Sequence, residues 1–312
     1  MMIPARQLES DLWLLDLNFQ GKAGIIAAYL LTGPHGHTLL ETGPGSTLGA
    51  LERAVAAAGA RLDDVAQLVV THIHLDHAGA AGSLLRRLPH ATLHVHPVGA
   101  PHMIDPSKLL ASASRIYGDR MDALWGAFEP CPAERVVTLA DGVALTGGTR
   151  TLTALHTPGH ASHHIAFHDA KRGTVFTGDV GGVRLDGAAY VRPPTPPPDI
   201  DVEAWHASVD RIRALRPRAL DLTHFGRFTD PARHLDELLR RLDGWTAWVR
   251  EAVREGAAPS LMIAGLRDES DRELLAETGD PTLAEGYELA SPVGMTIDGL
   301  VRYLKKRSDR TG

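Results

Sequence analysis

Residues 71–77 read Thr-His-Ile-His-Leu-Asp-His, and no other stretch limits the fold of this chain so tightly. Four of the six residues from His72 to His77 are metal-ligand types. They follow an apolar run, Gln67-Leu68-Val69-Val70, that reads as a strand, and precede a Gly/Ala-rich stretch that opens a helix. Strand side chains alternate, so His72 and His74 at the strand end point the same way. Asp76 and His77 lie in the turn and aim at a second point nearby. One short segment can therefore feed two adjacent metal ions. Imidazole and carboxylate suit zinc, iron or manganese. A chance cluster among the 17 histidines would not be expected to bring suitable partners downstream.

Those partners exist. Thr157-Pro158-Gly159-His160 follows an apolar strand and presents His160. Phe176-Thr177-Gly178-Asp179 ends another strand with Asp179, and Asp221-Leu222-Thr223-His224 a third with His224. Each candidate ligand ends a strand, which is how one edge of a sheet assembles a site on a rigid scaffold.

Strands are expected at residues 12–17, 25–31, 38–41, 67–71, 92–96, 136–139, 152–156, 164–168, 174–177 and 219–223. Helical spacing covers 47–58, 204–215 and 231–255, the last a long amphipathic segment. Interleaved strands and helices predict an α/β (α+β) chain of sheets covered by helices. The expected division is a catalytic domain over 1–228 and a helical C-terminal extension over 229–312, packed on the same domain, that caps the site or makes a dimer contact. The run Arg192-Pro-Pro-Thr-Pro-Pro-Pro-Asp199 excludes helix and central strand. It reads as a stiff connector or as one wall of the site.

At 312 residues, 44% hydrophobic and 22% charged, the chain has an ordinary globular composition. A net charge of -6 gives no general attraction to nucleic acid or membrane. No stretch reaches the roughly 20 apolar residues of a membrane span, and the N-terminus lacks the pattern of a signal peptide. A cytoplasmic location is the expectation, with a small-molecule substrate and a homodimer on base rates. Cys131 is the single cysteine, so no intramolecular disulfide forms. Its Glu129-Pro130-Cys131-Pro132 setting reads as a loop rather than a reactive site.

Together HIHLDH, TPGH, TGD and the late TH resemble the metallo-β-lactamase superfamily in order and spacing, over roughly residues 10–228. The resemblance implies a four-layer αββα sandwich with metals at one edge. It implies His72, His74 and His160 as ligands of one metal, Asp76, His77 and His224 as ligands of the second, and Asp179 as the bridging carboxylate. Many members carry Asp-Thr-Gly at the early strand end. Here it is Glu41-Thr42-Gly43, with the same charge and one more methylene, in a role that supports the histidine loop. A histidine near His164 recurs in the family beside the site, without ligating. His94 and His96 alternate on a strand and are expected to be hydrogen-bonded within the structure rather than to form a further site.

Such a set of ligands predicts two divalent ions, zinc first, with iron or manganese as alternatives. Two ions about 3.5–4 Å apart share a water whose pKa falls toward neutrality. That hydroxide would attack an electrophilic centre while one metal polarises the substrate oxygen. Asp76 is the candidate for moving the proton to the leaving group. No GxSxG elbow or cysteine motif offers a different nucleophile. Ester, thioester and lactone substrates fit this chemistry. The resemblance to glyoxalase II and to acyl-homoserine lactonases is partial, and Tyr190 is a candidate substrate contact. The alternatives are an iron-dependent persulfide dioxygenase, using two histidines and one carboxylate, or another redox member of the fold. A phosphodiesterase or nuclease ranks below these because it wants a basic groove.

Overall fold

The computed structural model describes residues 4–185 and 187–311, with side chains to residue 307. The first part of the N-terminal segment, residues 1–3, lies outside the described residues. The strands fall into two sheets, of seven and six strands. Two sheets with helices match the expected mixed α/β class. The chain divides into two compact units, one of residues 1–156 and 163–176, the other of residues 157–162 and 177–312.

In the first unit, β1 (Ala5–Glu9), β2 (Leu12–Asp16), β3 (Ala27–Leu31), β4 (His37–Leu40), β5 (Val65–Val69), β6 (Thr92–Val95) and β7 (Val136–Thr138) lie in sequence order across one sheet. The steps β1/β2, β2/β3 and β3/β4 are antiparallel, and β4/β5, β5/β6 and β6/β7 are parallel. It follows that β2, β4, β5 and β6 run the same way, and the loops after them leave from one edge. The parallel crossovers are helical: α1 (Leu48–Ala57), then α2 (Leu75–Ala78) and α3 (Ala81–Arg87). Every residue of β3 is buried, as a strand covered on both faces requires. Between β6 and β7 the chain inserts α4 (Ala100–Ile104), α5 (Ser107–Tyr117) and α6 (Met121–Trp125). An antiparallel meander follows: β8 (Ala144–Gly147), β9 (Arg150–His156), β10 (Ile165–Asp169) and β11 (Thr174–Phe176).

The second unit carries α7 (Val202–Ala214), the hairpin β12 (Ala219–Leu222) and β13 (Gly226–Phe228), then α8 (Pro231–Arg254), α9 (Pro259–Thr278), α10 (Leu283–Ala290) and α11 (Val293–Thr311). Asp201 caps α7, its side chain accepting from Ala204 N at 2.9 Å. The buried face of α8 is Leu235, Leu238, Leu242, Trp245 and Val249, at the helical spacing that the sequence shows. No helix among the described residues is long and apolar enough to cross a membrane.

Candidate metal centre

The first unit supplies four of the seven expected ligands from the loop and short helix after β5. His72 Nε2 and His74 Nδ1 are 2.9 Å apart, so these two rings face a common point. His77 Nε2 and Asp76 Oδ2, 3.6 Å apart, make a second pair. His72 and His77 are buried, whereas His74 and Asp76 are half-buried. The stretch therefore splits into two ligand pairs, as strand alternation followed by a turn predicts.

The opposite ring nitrogens are held from behind. Glu41 is fully buried at the end of β4 with φ +67°, the left-handed conformation few non-glycine residues adopt. Its Oε1 accepts from His77 Nδ1 at 3.0 Å and from Thr71 Oγ1 at 2.5 Å, and its Oε2 from Thr71 N at 3.3 Å. Since the Thr71 hydroxyl donates to the carboxylate, it accepts from His72 Nδ1, 3.0 Å away. Both imidazoles thus carry the proton on Nδ1 and turn Nε2 outward. From this position the Glu41 carboxylate reaches both Thr71 and His77. His164 is fully buried with its ring centroid 5.1 Å from that of His72, and His163 lies 6.1 Å from it.

The second unit carries the remaining three expected ligands, His160, Asp179 and His224. Asp179 sits in a short 3-10 turn, Gly178–Gly181, after β11. Its Oδ2 is 3.4 Å from His160 Nε2 and its Oδ1 is 3.5 Å from His224 Nε2. Each oxygen of one carboxylate thus faces a different imidazole, and all three residues are buried. His160 Nδ1 donates to Pro194 O at 2.8 Å, which fixes its Nε2 toward Asp179. Gly159 is required beneath it. Its φ is +142°, and a Cβ there would lie 2.4 Å from Trp205 Cα. Ser208 Oγ donates to Pro158 O at 2.6 Å and Trp205 Nε1 to Val180 O at 2.9 Å, so α7 grips both ligand turns.

The C-terminal helices hold the same turns. His234 of α8 is fully buried, and its Nε2 donates to Gly181 O at 2.7 Å. Burial pushes its pKa down to about 4, so the ring is neutral. Arg184 sits between this histidine and the His224 loop. Its backbone N donates to His224 O at 2.6 Å, and its guanidinium donates to Asp230 Oδ1 at 2.7 Å while lying 4.2 Å over Phe228. The proline run is fixed by α11. Lys306 Nζ donates to Pro198 O at 2.9 Å, and Gly299 passes so close that a Cβ would lie 1.9 Å from Thr195 O. The run is thus more than a connector, because one of its carbonyls orients His160.

Several sequence expectations resolve here. Tyr190 is not a surface contact for substrate. It is fully buried, its hydroxyl 2.9 Å from Ser270 Oγ and its ring under Arg241. His96 and His156 form a relay: Val98 N donates to His96 Nδ1 at 3.0 Å, His96 Nε2 donates to His156 Nδ1 at 3.2 Å, and His156 Nε2 donates to Leu139 O at 2.9 Å. Both nitrogens of these two rings are engaged, whereas His94 has its Nε2 3.1 Å from Thr92 Oγ1 and its Nδ1 buried without a hydrogen-bond partner among the described residues, so the expected bonding is complete for His96 and half made for His94. Cys131 is buried, and burial pushes its thiol pKa up to about 12, which makes it inert. The residues that sequence reasoning missed are His234, Arg184 and Thr71. Only Thr71, adjacent to the motif, carried any signal.

The family model described as the metallo-beta-lactamase superfamily matches residues 21–224. A metallo-beta-lactamase fold-containing protein of Sulfurisphaera tokodaii is 28% identical over 168 residues, 53% of this chain and 62% of that protein. A hydroxyacylglutathione hydrolase of Aeromonas hydrophila is 29% identical over 181 residues, 58% of this chain and 54% of that enzyme. The chain thus spans about half to three-fifths of the length of these curated relatives. A crystal structure of a metallo-beta-lactamase family protein from Thermus thermophilus superposes with a TM-score of 0.68 at 21% identity, covering 97% of this chain and 95% of that one. This last likeness shows the fold.

Proposed function

Because the chain belongs to the metallo-β-lactamase superfamily, we propose that it is a dinuclear metal-dependent hydrolase cleaving a small thioester, ester or lactone, with thioesters first. His72, His74 and His160 would hold one ion and Asp76, His77 and His224 the other, each trio being of a kind that could hold a metal. Asp179 would serve both. The donor set fits divalent zinc, iron or manganese: imidazole nitrogens and carboxylates, with no thiolate. The observation that carries the reading is Asp179, whose two oxygens face two different imidazoles at 3.4 and 3.5 Å. An ion beside His160 and another beside His224 would each have one oxygen of this carboxylate within reach.

When bound, such ions supply Lewis-acid polarisation of a carbonyl and acidify a water. The chain's own part is orientation and proton transfer. Glu41, Thr71 and Pro194 keep His77, His72 and His160 in the tautomer that ligates. Asp76, half-buried, would carry a proton to the leaving sulfur or oxygen. Thioesters come first because a relative at 29% identity is named for hydrolysis of an acylglutathione, which is a thioester. The test is a panel of acyl-thioesters, esters and lactones with the metal-loaded protein, before and after chelation. Turnover of at least the thioesters, lost on chelation and restored by metal, is expected. No turnover of any of the three classes, or turnover indifferent to chelation, would overturn the proposal.

A further inference from the structure

At the edge that carries His72 to His77, the first unit also builds an aromatic cluster that the ligand set does not use. Since β2, β4, β5 and β6 run the same way, the loop after β2 and the helical insertion after β6 both leave from that edge. The first loop is stiff. Asn18 and Gln20 both have positive φ, 48° and 53°, and the Asp16 carboxylate accepts from Asn18 N and Gly24 N at 2.9 and 2.8 Å. Between them stands Phe19. Trp125, the last residue of α6, stacks on it with ring centroids 5.5 Å apart and planes at 19°. Tyr117, the last residue of α5, meets Trp125 edge-on at 5.1 Å.

This cluster is keyed to the ligand turn. Gln20 Nε2 donates to Ala123 O at 2.7 Å and Ser46 Oγ to Leu124 O at 2.6 Å, clamping α6 between the loops after β2 and β4. The loop after β4 in turn grips the ligand helix. Thr42 donates to His77 O from its backbone N at 2.8 Å and from Oγ1 at 2.9 Å, and Ala80 N donates to Gly43 O at 2.9 Å. Two polar groups in the cluster are left over. Trp125 Nε1 is buried with no hydrogen-bond partner among the described residues. The hydroxyl of Tyr117, half-buried, makes no protein hydrogen bond among the described residues either. Burial first, and the Asp76 carboxylate second, raise the phenol's pKa, so the group remains a donor. An apolar cluster with two idle donors beside this turn offers an aromatic face and hydrogen-bond donors to an entering group.

We propose that Phe19, Tyr117 and Trp125 form the subsite that selects the acyl group. A flat or aryl-bearing acyl chain displaces the Tyr117 edge to lie against Trp125, and an oxygen substituent on that aryl group accepts from the idle indole N–H and phenol. The preferred substrates are then aryl-acyl rather than short aliphatic thioesters. This inference rests on the hydrolase reading for its substrate class, but its binding step is measurable without turnover.

The test uses metal-loaded protein with 15N-labelled tryptophan. Of the five indole N–H resonances, the one missing in Trp125→Phe is that of Trp125. The probe is the ketone analogue of phenylacetyl-N-acetylcysteamine, with methylene in place of sulfur, compared with its acetyl counterpart. The Trp125 resonance is expected to move on titration with the phenylacetyl ketone and to stay with the acetyl one. Where thioesters are turned over, Trp125→Ala and Tyr117→Ala, which remove the rings that the aryl group packs against, should each narrow the KM preference for phenylacetyl over acetyl by about tenfold, the worth of one aromatic contact. Should the Trp125 variants not fold, Tyr117→Ala, at a half-buried position, carries the same comparison, and the Trp125 signal is identified as the indole resonance shifted by loss of the Tyr117 ring that meets it edge-on. An unmoved Trp125 resonance at saturating ketone, or an unchanged KM preference in the variants, overturns the subsite. A moving resonance with no hydrolysis supports the subsite and sinks only the hydrolase reading.

Discussion

Replacing Glu41 by glutamine probes the support of the site while leaving the seven ligands intact. The carboxylate accepts three hydrogen bonds in a fully buried place, from His77 Nδ1, Thr71 Oγ1 and Thr71 N. An amide has one acceptor oxygen. If that oxygen replaces Oε1, the amide NH2 confronts the Thr71 N–H, donor against donor. If it replaces Oε2, the NH2 confronts His77 Nδ1 and pushes the ring into the Nε2–H tautomer, which cannot ligate. Either way one buried donor is left unmatched, at a cost of about 1–3 kcal/mol to the metal-free fold. Metal binding then loses a charge-assisted partner behind His77, for which a 10–100-fold fall in affinity, roughly 1.4–2.8 kcal/mol, is expected. Zinc affinity is measured by competition with a chromogenic chelator, and the metal-free fold by thermal melting. A Glu41→Gln variant that folds and binds zinc as tightly as the parent would refute the argument that this carboxylate sets the tautomer.

Two further predictions concern the C-terminal helices. His234 has its pKa pushed down to about 4 by burial, from an ordinary value of 6.5, so the unfolded chain takes up the proton first as pH falls. The stability it contributes is present above pH 6.5 and drains away between 6.5 and 4, by about 3 kcal/mol. His234→Gln keeps a donor for Gly181 O and removes the titration. Urea melts of metal-free protein at pH 7.5 and 4.5 should show a smaller acid loss in the variant, and equal losses would contradict the buried neutral imidazole. Gly299→Ala should cost about 1–3 kcal/mol, because the new Cβ meets Thr195 O at 1.9 Å and α11 must move off the proline run. An unchanged melting temperature would show that this contact is not tight.

The parts of this molecule that were legible in the sequence are those where one physical signal dominates. The apolar runs ending at Val70, His156, Phe176 and Leu222 mark strands because they are buried, and the ligand types stand at their ends. The strands β1, β8 and β13 escaped notice. β1 has no buried residue, β8 is the four-residue run Ala-Leu-Thr-Gly with one large apolar side chain, and β13 has only three residues, so each carries little apolar signal. The helices α4 to α6 were also missed. They lie in a stretch broken by Pro101, Pro106 and Gly118, where periodicity has no room to accumulate. Within the site, the ligands were readable as residue types, but their supports were not. Pro194 acts through a backbone carbonyl, which no residue type announces. His234 is a lone histidine on an amphipathic helix, and its role exists only once Gly181 is brought beneath it. Tyr190 misled for the converse reason, since a tyrosine beside a candidate loop reads alike whether it faces a substrate or Ser270.

The central claim is that seven side chains hold two metal ions, and counting metal tests it most directly. Protein loaded with zinc or manganese, freed of excess and analysed by plasma mass spectrometry, should carry two ions per chain, and Asp179→Ala fewer than one. A single ion per chain that no titration raises, or an Asp179→Ala variant that still holds two, would contradict the dinuclear account.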